Sequence, residues 1–398
     1  MAKRRAAAKG RTLGIGLVGA GFMGRAHSIA WSNANKFFNP RLKASMELAC
    51  ARDGAAAGAF ARRWGWQRAA ESLDVMLADP AVELVDVVTP NHLHAAQSIA
   101  ALHAGRHVAC EKPMAGTLAD ARAMRDAAQA ARRRRLCTFV WFNYRRCSAV
   151  AFAHQVVRQG RLGTIRHVRA SYLQDWGGAL TPRSWRFQAA LAGSGAHGDL
   201  NAHLIDMARF ITGQEIIEVS GALEETFITS RREGRQAARG ARRRRGTSTV
   251  DDCLLFLARF GGGAVASFEA TRLATGNLNR NTIEINGDRG SIKFDFERLN
   301  ELLWWDHTVK PALRGWSRIL CTTAAAHPYA EAYWPPGHGL GYEHGFVSMA
   351  ADILAVIAGR RPIVPLPDFE DAYQTQRVLE AAKIAARERR AVAMNEVR

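Results

Sequence analysis

The stretch Leu17-Val18-Gly19-Ala20-Gly21-Phe22-Met23-Gly24-Arg25-Ala26-His27 decides how the rest of the chain is read. An apolar run of strand length, Leu13 to Val18, precedes the glycines, and Ala26 to Trp31 reads as the opening of a helix after them. Gly19, Gly21 and Gly24 fall at G-x-G-x-x-G spacing. The first permits a tight turn, the second lets the backbone approach a pyrophosphate, and the third lets helix and strand pack closely. The phosphates of a dinucleotide would then lie on free N–H groups at the positive end of the helix. Glycine makes up 35 of 398 residues, so the spacing alone is a weak signal. A strand before it and a helix after it are what give it weight.

Outward from this stretch, strand and helix alternate as far as Tyr144. Glu47–Ala51, Leu84–Thr89, His107–Glu111 and Thr138–Phe142 read as strands; Ala55–Trp64, Ser72–Leu77, His94–Ala104 and Leu118–Ala131 read as helices. This alternation predicts an α/β fold with a doubly wound parallel Rossmann sheet over residues 1–144, the first eleven forming a disordered basic arm. Ligands of such sheets bind beyond the carboxyl ends of the strands. That rule selects Gly19–Gly24, Ala51–Asp53, Pro90–His94, Glu111–Pro113 and Asn143–Arg146.

From residue 145 to 398 the character changes. Ala149–Gln159 and Ala196–Thr212 read as helices, and Phe346–Gly359 and Ala372–Arg387 close the chain as two more. Ile165–Leu173, Ile216–Ala222, Cys253–Arg259, Ala264–Thr271, Thr282–Gly287 and Ser291–Phe296 read as strands. The turns Gly261-Gly262-Gly263 and Gly287-Asp288-Arg289-Gly290 predict antiparallel hairpins. The expectation is an α+β domain with a large, mostly antiparallel open sheet and helices on one face.

Bulk properties narrow the function classes. A content of 48% hydrophobic and 23% charged residues belongs to a folded globular chain. No run approaches the roughly 20 apolar residues that span a bilayer, and a cleaved leader would remove half of the glycine motif. Six cysteines without a C-x-x-C pair argue against zinc and disulfides and for a reducing, cytoplasmic setting. No metal and no membrane partner are expected. The net charge of +19 invites a nucleic-acid reading. Eight arginines, however, lie in Arg231–Arg245 without one aromatic residue, whereas single-strand binders interleave aromatics for base stacking. Residues 231–246 therefore read as a solvated surface loop dispensable for turnover, with no specific nucleic-acid partner.

Two places can carry chemistry. Glu111-Lys112-Pro113 ends a parallel strand at the presumed cleft and delivers an ammonium there. In Gly198-Asp199-Leu200-Asn201-Ala202-His203, a helix would bring Asp199 and His203, four apart, onto one face. A carboxylate beside an imidazole raises the histidine pKa, which suits acid/base work on a hydroxyl proton. Asp206 reads as structural.

Gly19–Gly24, Thr89-Pro90-Asn91-His92-Leu93-His94, Cys110-Glu111-Lys112-Pro113 and Gly198-Asp199 through His203 together resemble the glucose–fructose oxidoreductase/inositol dehydrogenase (Gfo/Idh/MocA) family. The resemblance implies an NAD(P)-binding Rossmann domain, a second domain shaping a sugar or polyol pocket, and a homodimer or homotetramer. Residue by residue, it implies that Lys112 holds the reacting hydroxyl, His203 is the acid/base, and Asp199 orients the substrate or that histidine. Gly19, Gly21, Phe22, Met23, Gly24, Ala51, Arg52, Pro90, Asn91, His94, Glu111 and Lys112 would contact the cofactor, Asn91 and His94 at its nicotinamide end. Tyr144, Gln174, Trp176, Trp185 and Arg186 would wall the substrate pocket. Ala51 stands where members using NAD usually carry an acid, and Arg52 follows it, which leans the cofactor toward NADP. The alternative is a nucleotide-sensing, non-catalytic Rossmann protein whose basic loop binds nucleic acid; the presence of Lys112, Asp199 and His203 together speaks against it.

Overall fold

The computed structural model describes residues 11–233 and 245–398. The first sheet contains β1 (Thr12–Val18), β2 (Lys43–Cys50), β3 (Arg68–Ala70), β4 (Leu84–Val87), β5 (His107–Cys110) and β6 (Thr138–Val140). All its pairings are parallel, as the strand–helix alternation predicts, and its order is β3-β2-β1-β4-β5-β6. The order reverses between β1 and β4, and that crevice is where doubly wound sheets bind ligands. β4 is buried at every residue and β1 at all but its first, the pattern of strands covered on both faces. The helices α1 (Phe22–Phe37), α2 (Gly54–Trp64), α3 (Leu73–Ala78), α4 (His94–His103) and α5 (Leu118–Arg132) connect them. Their starts are chemically marked, with Asp53, Ser72 and Thr117 accepting from the backbone N–H of Ala56, Val75 and Asp120.

Helix α1 starts inside the glycine motif, with Gly21 as its N-cap, earlier than Ala26. Gly19 has φ +119°, and a Cβ there would lie 2.7 Å from the Val88 carbonyl oxygen. A Cβ on Gly24 would lie 2.4 Å from the Gly19 carbonyl oxygen. Both positions therefore exclude any side chain, and the helix can begin directly over the end of β1.

The second half introduces α6 (Ser148–Arg158), β7 (Ile165–Leu173), α7 (Ala189–Ala192), α8 (Ala202–Thr212) and β8 (Ile216–Glu225). A short ribbon follows, β9 (Ser230–Arg232) paired antiparallel with β10 (Arg245–Thr247). Then come β11 (Cys253–Phe260), β12 (Val265–Thr271), β13 (Arg280–Gly287), β14 (Gly290–Asp295), β15 (Glu301–Asp306) and β16 (Trp316–Leu320). Two helices, α9 (Tyr342–Ile357) and α10 (Phe369–Glu388), precede the final β17 (Val392–Ala393). Nine of these strands form one sheet, in the order β16-β15-β14-β13-β7-β12-β11-β8-β17. Only β7 with β12 is parallel. Alternation is strict where a helix covers one face: Leu254, Phe256, Ala258 and Phe260 of β11 are buried, while Leu257 is exposed.

Helix α9 packs on the first sheet, where its Phe346, Met349, Ala350, Ile353 and Leu354 share a core with Leu13, Ile15, Leu17 and Trp31. The structure departs from the sequence reading in two respects. The Arg-rich segment is not simply a solvated loop, because Arg231 is fully buried and its flanks pair as β9 and β10. Three strands, β15, β16 and β17, extend the second sheet beyond the expected set. The arm up to residue 10 and residues 234–244 lie outside the described residues. Among the described residues, no helix is long and apolar enough to cross a membrane.

Candidate active site

A cleft of about 2500 Å³ runs from the glycine turn to the large sheet, lined by residues of both units. A pocket for one small ligand holds roughly 300–1,000 Å³, so this cleft accommodates a dinucleotide together with a second molecule. Successive parallel strands deliver the first wall: Gly19, Gly21, Phe22 and Met23 after β1, Ala51 and Arg52 after β2, Pro90 and Asn91 after β4, and Glu111 and Lys112 after β5.

The glycine cradle fits a pyrophosphate. No side chain caps α1, its first turn holds no acid, and a Cβ at Gly21 would meet nothing within 4 Å. The free N–H groups of that turn are thus available to an anion, with the helix dipole behind them. Gly24 lies behind the cradle, packed on Gly19. Asn91 lines the cleft and donates through Nδ2 to the Ala192 carbonyl at 2.9 Å, joining the two units. His94 does not reach the cleft and is corrected accordingly. It is fully buried, with its ring nitrogens 2.8 Å from the Thr89 carbonyl and 3.0 Å from the Pro113 carbonyl. Its task is to tie the Pro90 loop to the Lys112–Pro113 turn.

Lys112, Asp199 and His203 converge on the same cleft. Asp199 lies in a π-helical turn, His197–Asn201, that leads into α8. Asp251 holds the start of that turn by accepting from the Gly195 and His197 N–H groups at 2.6 and 2.7 Å. The widened turn aims Asp199 at cations. Lys112 Nζ donates to Asp199 Oδ1 at 2.7 Å and to its carbonyl at 2.9 Å, and Arg272 Nη2 donates to Oδ2 at 2.8 Å. Burial would raise the Asp199 pKa, but Lys112, Arg272 and Arg186 outweigh it and hold the carboxyl well below its usual range.

The expected raised pKa at His203 is overturned. Burial, then the Lys112 charge, push it well below 6.5, and Asp199 offsets only part of this. The ring is therefore neutral across physiological pH. It stacks on Tyr144 at 4.3 Å between centroids, and its Nδ1 is buried without a hydrogen-bond partner.

The second wall is a polar–aromatic relay. Tyr144 and Tyr172 share a hydroxyl–hydroxyl bond of 2.8 Å, Tyr172 donates to Asn279 at 2.7 Å, and Gln174 donates to the same oxygen at 2.8 Å. Trp176 Nε1 donates to Gln174, and the Arg272 guanidinium lies 4.9 Å from the Trp176 ring. Trp185 and Arg186 also line the cleft, stacked at 4.5 Å. Tyr172, Asn279, Arg272 and Tyr342 line it as well and were missed. Arg272 had a usable signal, because it directly follows β12. Tyr342 had none, arriving from the start of a distant helix.

Behind Glu111 lies a buried charged triad. His27 Nδ1 is 2.8 Å from Asp86 and Nε2 is 2.9 Å from Glu111, while Trp31 and Trp141 both donate to Asp86. Burial would lower the His27 pKa, but the two carboxylates raise it to about 9. Among the described residues, no group of three or more His, Cys, Asp or Glu could hold a metal ion.

A Rossmann crevice opening onto a lysine–carboxylate pair and a neutral histidine defines a nucleotide-dependent oxidoreductase. Residues 13–139 match the family described as oxidoreductase family, NAD-binding Rossmann fold, and residues 150–293 match its C-terminal domain. The chain is 39% identical over 381 residues to levoglucosan dehydrogenase of Pseudarthrobacter phenanthrenivorans, covering 93% of this chain and 95% of that one. It superposes with TM-score 0.91 on an oxidoreductase domain protein from Kribbella flavida, at 46% identity over 96% and 99% of the two chains. A levoglucosan dehydrogenase complex with NADH and levoglucosan matches with TM-score 0.89 at 37% identity, over 96% and 100%. The chain belongs to the Gfo/Idh/MocA family of NAD-binding oxidoreductases.

Proposed function

We propose that the protein reversibly oxidises a secondary hydroxyl of a cyclic sugar, anhydrosugar, glycoside or inositol. The observation that carries this reading is the meeting of Lys112, Asp199 and His203 between a pyrophosphate-shaped cradle and an amide–aromatic wall. Bound nicotinamide supplies the hydride acceptor. Lys112, pinned by Asp199, donates a hydrogen bond to the reacting hydroxyl and stabilises the alkoxide that develops there. His203, neutral in its buried setting, accepts the proton. Asp199 stays ionised between its cations and serves as anchor for Lys112. Gln174, Trp176, Trp185 and Arg186 present the hydrogen-bonding groups and flat faces that sugars need. The similarity to levoglucosan dehydrogenase supports the substrate class.

At the ribose end the reading leans to NADP. Arg52 lines the cleft, whereas the neighbouring carboxylate of Asp53 is engaged in capping α2, 3.0 Å from the Ala56 nitrogen. Glu71 borders the same end of the cleft, where Arg52 supplies a cation for a 2′-phosphate. Six unpaired thiols support a cytoplasmic setting, and exposed Leu223, Leu257 and Val265 on the open sheet face support a homo-oligomer. A spectrophotometric screen of anhydrosugars, inositols and aldoses with both cofactors tests the reading. Sugar-dependent NAD(P)H formation is expected, and its absence throughout contradicts it. Fluorescence titration with NADH and NADPH decides the cofactor, clearly tighter NADH binding being the contrary result.

A further inference from the structure

The Arg-rich segment begins within the substrate wall. Arg231, the middle residue of β9, is fully buried. Its Nη1 donates to the Gly178 carbonyl at 2.9 Å, and Nη2 donates to the Gly177 carbonyl at 2.8 Å and to Asp252 Oδ1 at 3.1 Å. The guanidinium lies 3.8 Å from the Phe187 ring centroid. Each partner is one step from the cleft. Gly177 follows Trp176, and its N–H donates to the Arg272 carbonyl at 3.0 Å; the Arg272 N–H in turn donates to the Asp252 carbonyl at 3.1 Å. Phe187 follows Arg186, and its ring lies 5.8 Å from that of Trp176. A planar fork that satisfies two carbonyls and a carboxylate together fixes geometry in a way a single ammonium does not.

The rest of the ribbon is fastened to the same loop. Arg183 N–H donates to the Arg232 carbonyl at 2.7 Å, Arg183 Nε to the Thr247 carbonyl at 2.9 Å, and Nη1 to Glu233 at 3.0 Å. Arg183, Glu233 and Arg245 all border the cleft. We propose that Arg231 is a positioning residue for the substrate wall, holding Trp176, Arg186 and Arg272 in register so that it sets sugar affinity without touching hydride transfer or the cofactor. The proposal rests on the sugar-oxidation reading above. It reverses the expectation that the whole Arg231–Arg245 stretch is dispensable.

The test uses the full-length protein with R231K and with the double variant R231M/D252N, which removes both buried charges and leaves no unpaired carboxylate. For each, kcat and KM for the sugar at saturating cofactor, NADH dissociation by fluorescence, and the thermal midpoint are measured. The expected result for both is a KM raised about tenfold, the weight of one charge-assisted hydrogen bond. Both kcat and NADH affinity are expected to stay within about twofold of wild type. An unchanged KM overturns the proposal, and so does a joint fall in kcat, sugar affinity and NADH affinity, which marks general destabilisation. Wild-type protein that turns over no sugar removes the reading and the proposal together, whereas a turning-over wild type with unaffected variants removes the proposal alone.

Discussion

In the proposed reaction, His203 is a base whose usefulness depends on staying uncharged. Its buried ring and the Lys112 ammonium disfavour protonation, so the histidine stays neutral down through pH 6.5 and charges only well below it. The sign matters for kinetics: acid removes the base only below that lowered value. Sugar oxidation is therefore expected to show kcat/KM level on passing down through pH 6.5, read from initial rates across the range; a loss centred at 6.5 would contradict this. Lys112 and Asp199 act as one unit, joined at 2.7 Å. Replacing Lys112 by Ala frees Asp199 to Arg272 alone and removes the donor to the hydroxyl. Both Lys112→Ala and His203→Ala are expected to lower kcat by about 10²–10⁴-fold, and His203→Ala is expected to leave NADH affinity by fluorescence unchanged. Retained turnover in either variant removes the assigned role.

At the level of elements, α1 carries two duties. Its first turn faces the cofactor cradle, and one turn later His27 reaches the buried carboxylates under β4 and β5. With both ring nitrogens on carboxylates, the imidazolium is the stable form, and the pKa is raised from 6.5 to about 9. A raised histidine pKa contributes stability that is fully present below 6.5 and is lost as pH rises through about 9. Denaturant unfolding at a series of pH values should show that loss, and His27→Gln should remove its slope. The same variant strands two buried acids and is expected to destabilise by roughly 3–5 kcal/mol. A wild-type stability flat between pH 6.5 and 9 contradicts the charged triad.

The legibility of each element follows from where its determinants lie. The glycine turn, the parallel strands and the capped helices are local and apolar-periodic, so they can be read from the sequence. Gly19 and Gly24 even announce their steric reason through spacing. Helix α9 can be read as a helix but not placed, because its partners lie more than three hundred residues upstream, at Leu13 to Trp31. Arg231 looks solvated because its neighbours are charged; only the Gly177 and Gly178 carbonyls and Asp252, brought in by the fold, explain its burial. The Asp199–His203 spacing reads as one face of a helix. It could not show that Asp199 faces Lys112 and Arg272, since the π-turn rotates it and Arg272 comes from a separate strand.

For the whole molecule, one cleft brings together the glycine cradle, the Lys112, Asp199 and His203 group, and the wall of Gln174, Trp176, Trp185 and Arg186. The net charge of +19 is a separate, long-range property. It predicts retention on heparin or DNA at low salt, lost steeply with added salt and indifferent to base sequence; sequence-selective binding at physiological salt would instead support a nucleic-acid role. The central claim is hydride transfer from a sugar carbon to nicotinamide under the control of Lys112 and His203. It is tested most directly with a sugar deuterated at the carbon that is oxidised, following the label into the reduced cofactor by mass spectrometry. The wild-type protein should place deuterium on the nicotinamide, and Lys112→Ala and His203→Ala should do so far more slowly. Reduced cofactor that carries no label, or variants that transfer it as fast as wild type, would contradict the account.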